Sequence, residues 1–194
     1  MTLDGGGELA LFDRTSAATG LPKDFAQLLQ LHPRDSWQGH HNFSELTRFW
    51  LDRHESFRQV FTELNKLSEA YLSAPSDSFA QKTVRYTSFL LQQLEGHHQI
   101  EDQHYFPQIS VLDSRAEKGF AMLDSDHDAL HHLIEGTVPV TNDALTAIQN
   151  GVDARGAVEV LRKHQLNFQS QLLRHLSDEE ELVVPVILEH GFVG

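Results

Sequence analysis

Four separate stretches of this chain run as apolar stripes of helical period, and histidine interrupts each of them. The interruptions are His54, His97 with Glu101, His127 with His131, and His175 with Glu179. Residues i and i+4 lie one above the other on a helix face, so each pair can aim two donor atoms at one point. A polar side chain in a core costs roughly 2–7 kcal/mol unless it is hydrogen-bonded, paired or coordinated. Donors of this kind converging between helices are hard to satisfy without a metal, and they must bind it through nitrogen and oxygen, because the chain has no Cys.

The stripes set the organisation. The first pattern spans about 42–73, with Phe43, Leu46, Trp50, Phe57, Phe61 and Leu64 in step with His54. Pro75 to Ser78 make a turn in which Asp77 or Ser78 caps the second pattern, about 79–107, whose inner face reads Tyr86, Leu90, Leu94, His97, Glu101 and His104. The third, about 114–136, carries Phe120, Leu123, His127, His131 and Ile134, and Gly136 fits its stop. A connector over 137–150, with room for a short helix, leads to the fourth pattern, about 154–190, bearing Leu161, Phe168, Leu172, His175, Glu179 and Leu182. Pro185 should kink or end that helix. No useful β-type alternation occurs. The expected fold is therefore all-α, an antiparallel up-down-up-down four-helix bundle over 39–194 with an N-terminal extension. That extension, 1–38, reads as a loose arm with one short helix around Phe25, Leu28, Leu29 and Leu31, packing marginally.

Charge narrows the partners. The formal net charge is −13, and the 15 Lys and Arg are spread thinly, so no basic stripe serves a phosphate backbone or an anionic membrane. Nucleic acid and membrane are not expected partners. The N-terminus lacks the basic and apolar segments of a secretory signal, which makes the cytoplasm the expected location. No Ser-His-Asp set or glycine-rich phosphate loop is present, so chemistry on anything larger than O2, NO or H2O2 is unsupported.

Coordination counting sharpens the metal expectation. Suppose two octahedral ions share both carboxylates, Glu101 and Glu179, and one water-derived oxygen. Five histidines then fill five positions, the carboxylates four and the shared oxygen two, which leaves one of twelve open. Two divalent cations against two carboxylates and a hydroxide are nearly neutral, which a bundle interior tolerates. A lone tetrahedral zinc would strand several of these groups. Mixed imidazole and carboxylate ligation suits iron best among the common redox metals.

The ordered motifs resemble the hemerythrin-like, HHE cation-binding family. They are His54 alone, then His97-His98-Gln99-Ile100-Glu101, then His127 to His131, then His175-Leu176-Ser177-Asp178-Glu179. The flanks fit as well, with Glu101 to Pro107 and Asp178 to Pro185 each an acidic or polar run closed by proline. The resemblance covers about 42–190 and implies a four-helix bundle holding two non-haem iron ions, oxo- or hydroxo-bridged. It implies binding or sensing of dioxygen or a similar small ligand. The alternative it carries is a di-iron redox enzyme acting on peroxide or nitric oxide, or an iron-homeostasis or repair factor. By resemblance His54 and His97 hold the ion with the vacancy, His127, His131 and His175 the saturated one, and Glu101 and Glu179 bridge. The oxygen carriers' His-x-x-x-x-Asp is replaced here by an acidic run, so Glu180 is a second candidate for the Glu179 role. His98 is a further candidate, and its entry would fill the open position.

The remaining polar groups have ordinary expectations. Asp126, Asp128, His132, His40 and His41 should be solvated, His104 and His164 should pack or line the pocket, and the run Asp178 to Glu181 should be half ligand and half solvated face.

Overall fold

The computed structural model describes residue 21 and residues 27–192, and every regular element among them is helical. The elements are α1 (Gln27–Leu31), a 3-10 turn (Arg34–Gly39), α2 (Glu45–Ser73), α3 (Ser78–Ile100), a π turn (Glu101–Tyr105), α4 (Phe106–Ile109), α5 (Glu117–Gln149) and α6 (Arg155–His190). Phe25 and residues 1–20 lie outside the described residues. Ser44 caps α2 by accepting from the Thr47 amide, which satisfies one of the unpaired donors at a helix start. No helix among the described residues is long and apolar enough to cross a membrane.

The four long helices carry the core. Along α2 and α3 the contacts run from His54 with His97 to Tyr71 with Phe79, so the two helices point in opposite directions. The same holds for α2 and α6, from His54 with Glu180 to Ser68 with Gln165. It holds for α5 and α6 too, from His127 with His175 to Thr137 with His164. Two apolar clusters bracket the histidines. One gathers Trp50, Phe106, Phe120, Leu123, Leu182 and Val183, the other Phe57, Leu94, Leu130, Phe168 and Leu172.

Four long helices were expected, and local chemistry bounds them differently. The second pattern does not run through as one α-helix: the Phe106 amide bonds to the Glu101 carbonyl, a π turn, before α4 resumes. Pro107, at the start of α4, has no amide to donate, so the α-type ladder must re-register just ahead of it. Gly136 is not a stop. A Cβ there would sit 3.2 Å from the His164 ring, so the glycine marks a close approach of α6, and α5 continues through Pro139 with Thr137, Thr141 and Ala144 buried. Nor does Pro185 end α6. An interior proline costs about 3 kcal/mol or more, but burial of an aliphatic side chain returns roughly 1.5–3 kcal/mol each, and Val183, Val184, Val186, Ile187 and Leu188 are all buried around it. The helix stops at Gly191, which takes a positive φ of 71°.

Leu28 and Trp37 are buried against α6, and the Trp37 indole donates to the His32 carbonyl at 2.8 Å.

Candidate metal centre

Between the two apolar clusters the helices bring together two groups of donors, each with its ligand atoms within 4.8 Å of one another. The first is His54 from α2, His97 from α3, Glu101 at the start of the π turn and Glu179 from α6; the second is His98, His127 and His175 from α3, α5 and α6. Inside the groups the Nε2 atoms face each other, His54 to His97 at 2.9 Å and His127 to His175 at 3.1 Å. The carboxylates reach across. Glu101 lies 3.1 Å from His97 and 3.7 Å from His127, while Glu179 lies 3.5 Å from His54 and 3.4 Å from His175.

Carboxylates also stand behind the rings. Glu180 meets His54 Nδ1 at 3.0 Å, Asp102 meets His127 Nδ1 at 2.6 Å, and Asp126 lies 3.6 Å from His175 Nδ1. A carboxylate at Nδ1 accepts a hydrogen bond from the ring N–H, which fixes the tautomer that leaves the Nε2 lone pair pointing inward and more basic. Lone pairs aimed at each other across 3 Å or so repel unless a cation lies between them. The π turn helps build this, since Glu101 turns inward, where the Trp50 indole donates to it at 2.5 Å, while Asp102 turns to α5.

The charge state agrees with a cation site. Burial, with the neighbouring imidazoles, holds the pKa of His97 and of His98 well below the ordinary histidine value, so both rings are neutral and able to ligate. Burial raises Glu101, and burial together with the adjacent Glu101 carboxyl raises Glu179 further. Both oxygens of Glu179, Oε2 of Glu101 and Nε2 of His98 are sealed from solvent without a hydrogen bond of proper geometry. Such orphaned acceptors are costly in a core and are what a cation satisfies. The residues present therefore fit a metal. Glu180 differs: burial pushes it up, but the hydrogen bond and charge of His54, with Arg58 and Arg34, outweigh that and hold its pKa down at about 2.

Of the donors expected from the stripes, His54, His97, Glu101, His127, His175 and Glu179 come together, and His131 does not. His131 is 53% exposed and lies 3.5 Å from Glu135 on the same helix. One turn beyond His127 it has rotated past the interhelical seam. His98 stands in its place, stacked on His127 with ring centres 4.1 Å apart. The available signal was that α3 touches both α2 and α5: adjacent residues on it face different neighbours, His97 toward His54 and His98 toward His127. Glu180 backs His54 rather than joining the donors. Asp126, expected in solvent, is buried beside Arg174 and His175, and the acidic run is more interior than expected, with Asp178, Glu179 and Glu180 all buried. His41, His104, Asp128 and His132 are exposed, and His164 bonds to Thr137 and the Leu133 carbonyl.

The fold and this donor set define a metal-binding helical protein. The family profile of the hemerythrin HHE cation binding domain matches residues 45–187, and the chain belongs to that family. No curated protein and no solved structure gave a match.

Proposed function

We propose that this chain is a non-haem di-iron protein that binds or senses dioxygen or a similar small diatomic ligand, with α2, α3, α5 and α6 serving as its antiparallel four-helix bundle. The observation that carries the reading is that Glu101 and Glu179 each reach one histidine of both groups, the arrangement two shared carboxylates need. On this assignment His54 and His97 would hold one ion, His98, His127 and His175 the other, and Glu101 and Glu179 would serve both. Because His98 stands in for His131 rather than adding to it, the donor count is unchanged, and the two-histidine side would be the one left with room for a ligand. Imidazole and carboxylate donors in this mixture suit iron. A bound iron pair supplies the one-electron changes through which a small ligand is held and released.

The chain's own part is to position, neutralise and exclude. Trp50, Phe57, Leu94, Leu123, Phe168 and Leu172 are buried around the donors and keep bulk water and protons away. Trp50 fixes Glu101 by its indole hydrogen bond. Against these two residues lies a cavity of about 30 Å³, lined also by Leu46, Phe106, Val183 and Ile187. One water-sized probe needs about 10–15 Å³, so this space is large enough for a diatomic molecule.

The test is optical. Protein loaded with ferrous iron without air should gain visible absorption when oxygen is admitted, lose it when oxygen is removed, and regain it on re-exposure. Irreversible oxygen consumption, or rapid turnover of peroxide or nitric oxide by the same protein, would contradict the reading and favour a redox enzyme.

A further inference from the structure

The segment ahead of the bundle reaches the back of the donor groups. Arg34, in the 3-10 turn, lies outside the region that defines the family, residues 45–187. Its guanidinium donates to Glu180 Oε2 at 2.8 Å, to Glu181 Oε1 at 3.2 Å and to the Ser177 carbonyl at 3.3 Å. It also lies over the Trp37 ring, 4.9 Å from its centre. Glu180 is buried, and its other oxygen takes His54 Nδ1 at 3.0 Å and Arg58 at 2.8 Å. A continuous set of contacts therefore runs from the leading segment through Glu180 to the back of His54, whose Nε2 faces the first donor group. A second anchor, the His32 ring to Glu189 at 2.7 Å, ties the same segment farther along α6 without a hydrogen bond to Arg34, Glu180 or His54.

We infer that residues 27–39 form a strap in which Arg34 acts as a positioning residue: it locks Glu180, Glu180 fixes the orientation of His54, and the strap thereby governs how long the His54 and His97 half of the centre keeps its ion. This rests on the two-ion reading above. The physical reason is the shape of the contact. A carboxylate behind a ligating imidazole sets the ring's tautomer and direction, and loss of such a support typically costs about 10- to 100-fold in metal affinity. A carboxylate gripped from both sides cannot rotate away, and arginine's planar fork supplies that grip better than a point charge does. The support behind His127 is built otherwise, since the Asp102 side chain is 37% exposed. The strap thus acts on one half of the centre.

The experiment uses the full chain loaded anaerobically with Co(II), followed by chelator challenge with release of each ion timed by absorption. Arg34→Gln should release one ion per chain about 10- to 100-fold faster than the unaltered protein, with the other ion's release unchanged. Arg34→Lys, which keeps the charge but not the fork, should fall between. His32→Gln, which loosens the strap at its other anchor, should lower the thermal midpoint and leave both release rates as they were. Unchanged release from both arginine variants overturns the inference. So does equal acceleration of both ions, or the same acceleration in His32→Gln, because then the strap only stabilises the fold. An unaltered chain that takes up fewer than two ions overturns the two-ion reading itself, a result distinct from two ions held equally well with and without Arg34.

Discussion

His98 and His131 are both imidazoles within reach of the same seam in sequence, but only His98 is sealed from solvent with an Nε2 that has no hydrogen-bond partner. His98→Ala should therefore cost the chain one bound ion, whereas His131→Ala should retain both; elemental analysis of the two purified variants checks this, and loss of an ion from His131→Ala alone would reverse the assignment. His97 with Glu101 and His175 with Glu179 were legible as i, i+4 pairs in phase with Leu and Phe, whereas the same spacing pointed to His131, which is 53% exposed. His98 was only a further candidate by resemblance, since its partner helix is known only from which helices lie side by side. Asp102 was hidden, and Glu180 was weighed as a bridging donor instead of a support, for a related reason: a carboxylate supporting a ligand looks, in one dimension, like any other acidic residue.

The junction between α4 and α5 is tied to the end of α6 by one buried carboxylate. Asp113 takes two bonds from the Arg115 guanidinium, at 2.8 and 2.6 Å, and one from His190 at 2.8 Å. The Arg115 hydrogen bond, aided by His190 and opposed by burial, holds the Asp113 pKa below the usual carboxylate range. A carboxylate whose folded pKa is depressed stabilises the fold above its unfolded value, about 3.9, and loses that contribution as pH falls toward the folded pKa. Asp113→Asn should thus melt lower than the unaltered protein near neutral pH, with the gap closing from about pH 4 downward. Thermal melts across that range test it, and a gap independent of pH would show that the contact acts through packing alone. Element boundaries were the least legible part of the sequence. Gly136, Pro139 and Pro185 all signal helix ends locally, yet α5 and α6 run through them because the buried side chains on either side outweigh a lost hydrogen bond. The π turn left no sequence mark beyond Pro107.

At the scale of the whole molecule, the helical class and the location of the centre followed from four stripes with histidine at matching depth, a pattern that needs no knowledge of helix pairing. The packing of residues 27–39 did not follow, because Leu28 and Trp37 stand too far apart in a polar stretch to register as periodic, and their burial depends on a face of α6 that the stripe assigned elsewhere. The assembled molecule is an acidic helical protein, formal charge −13, in whose interior both oxygens of Glu179, Oε2 of Glu101 and Nε2 of His98 have no hydrogen-bond partner. The proposed function requires that one interior site hold two ions through shared carboxylates. An anaerobic equilibrium titration of metal-free protein with Fe(II), counted per chain, measures this. Saturation at two ions is expected for the unaltered chain, with loss of tight binding when Glu101 is replaced by Ala. Saturation at a single ion, or two ions held unchanged by Glu101→Ala, would contradict it.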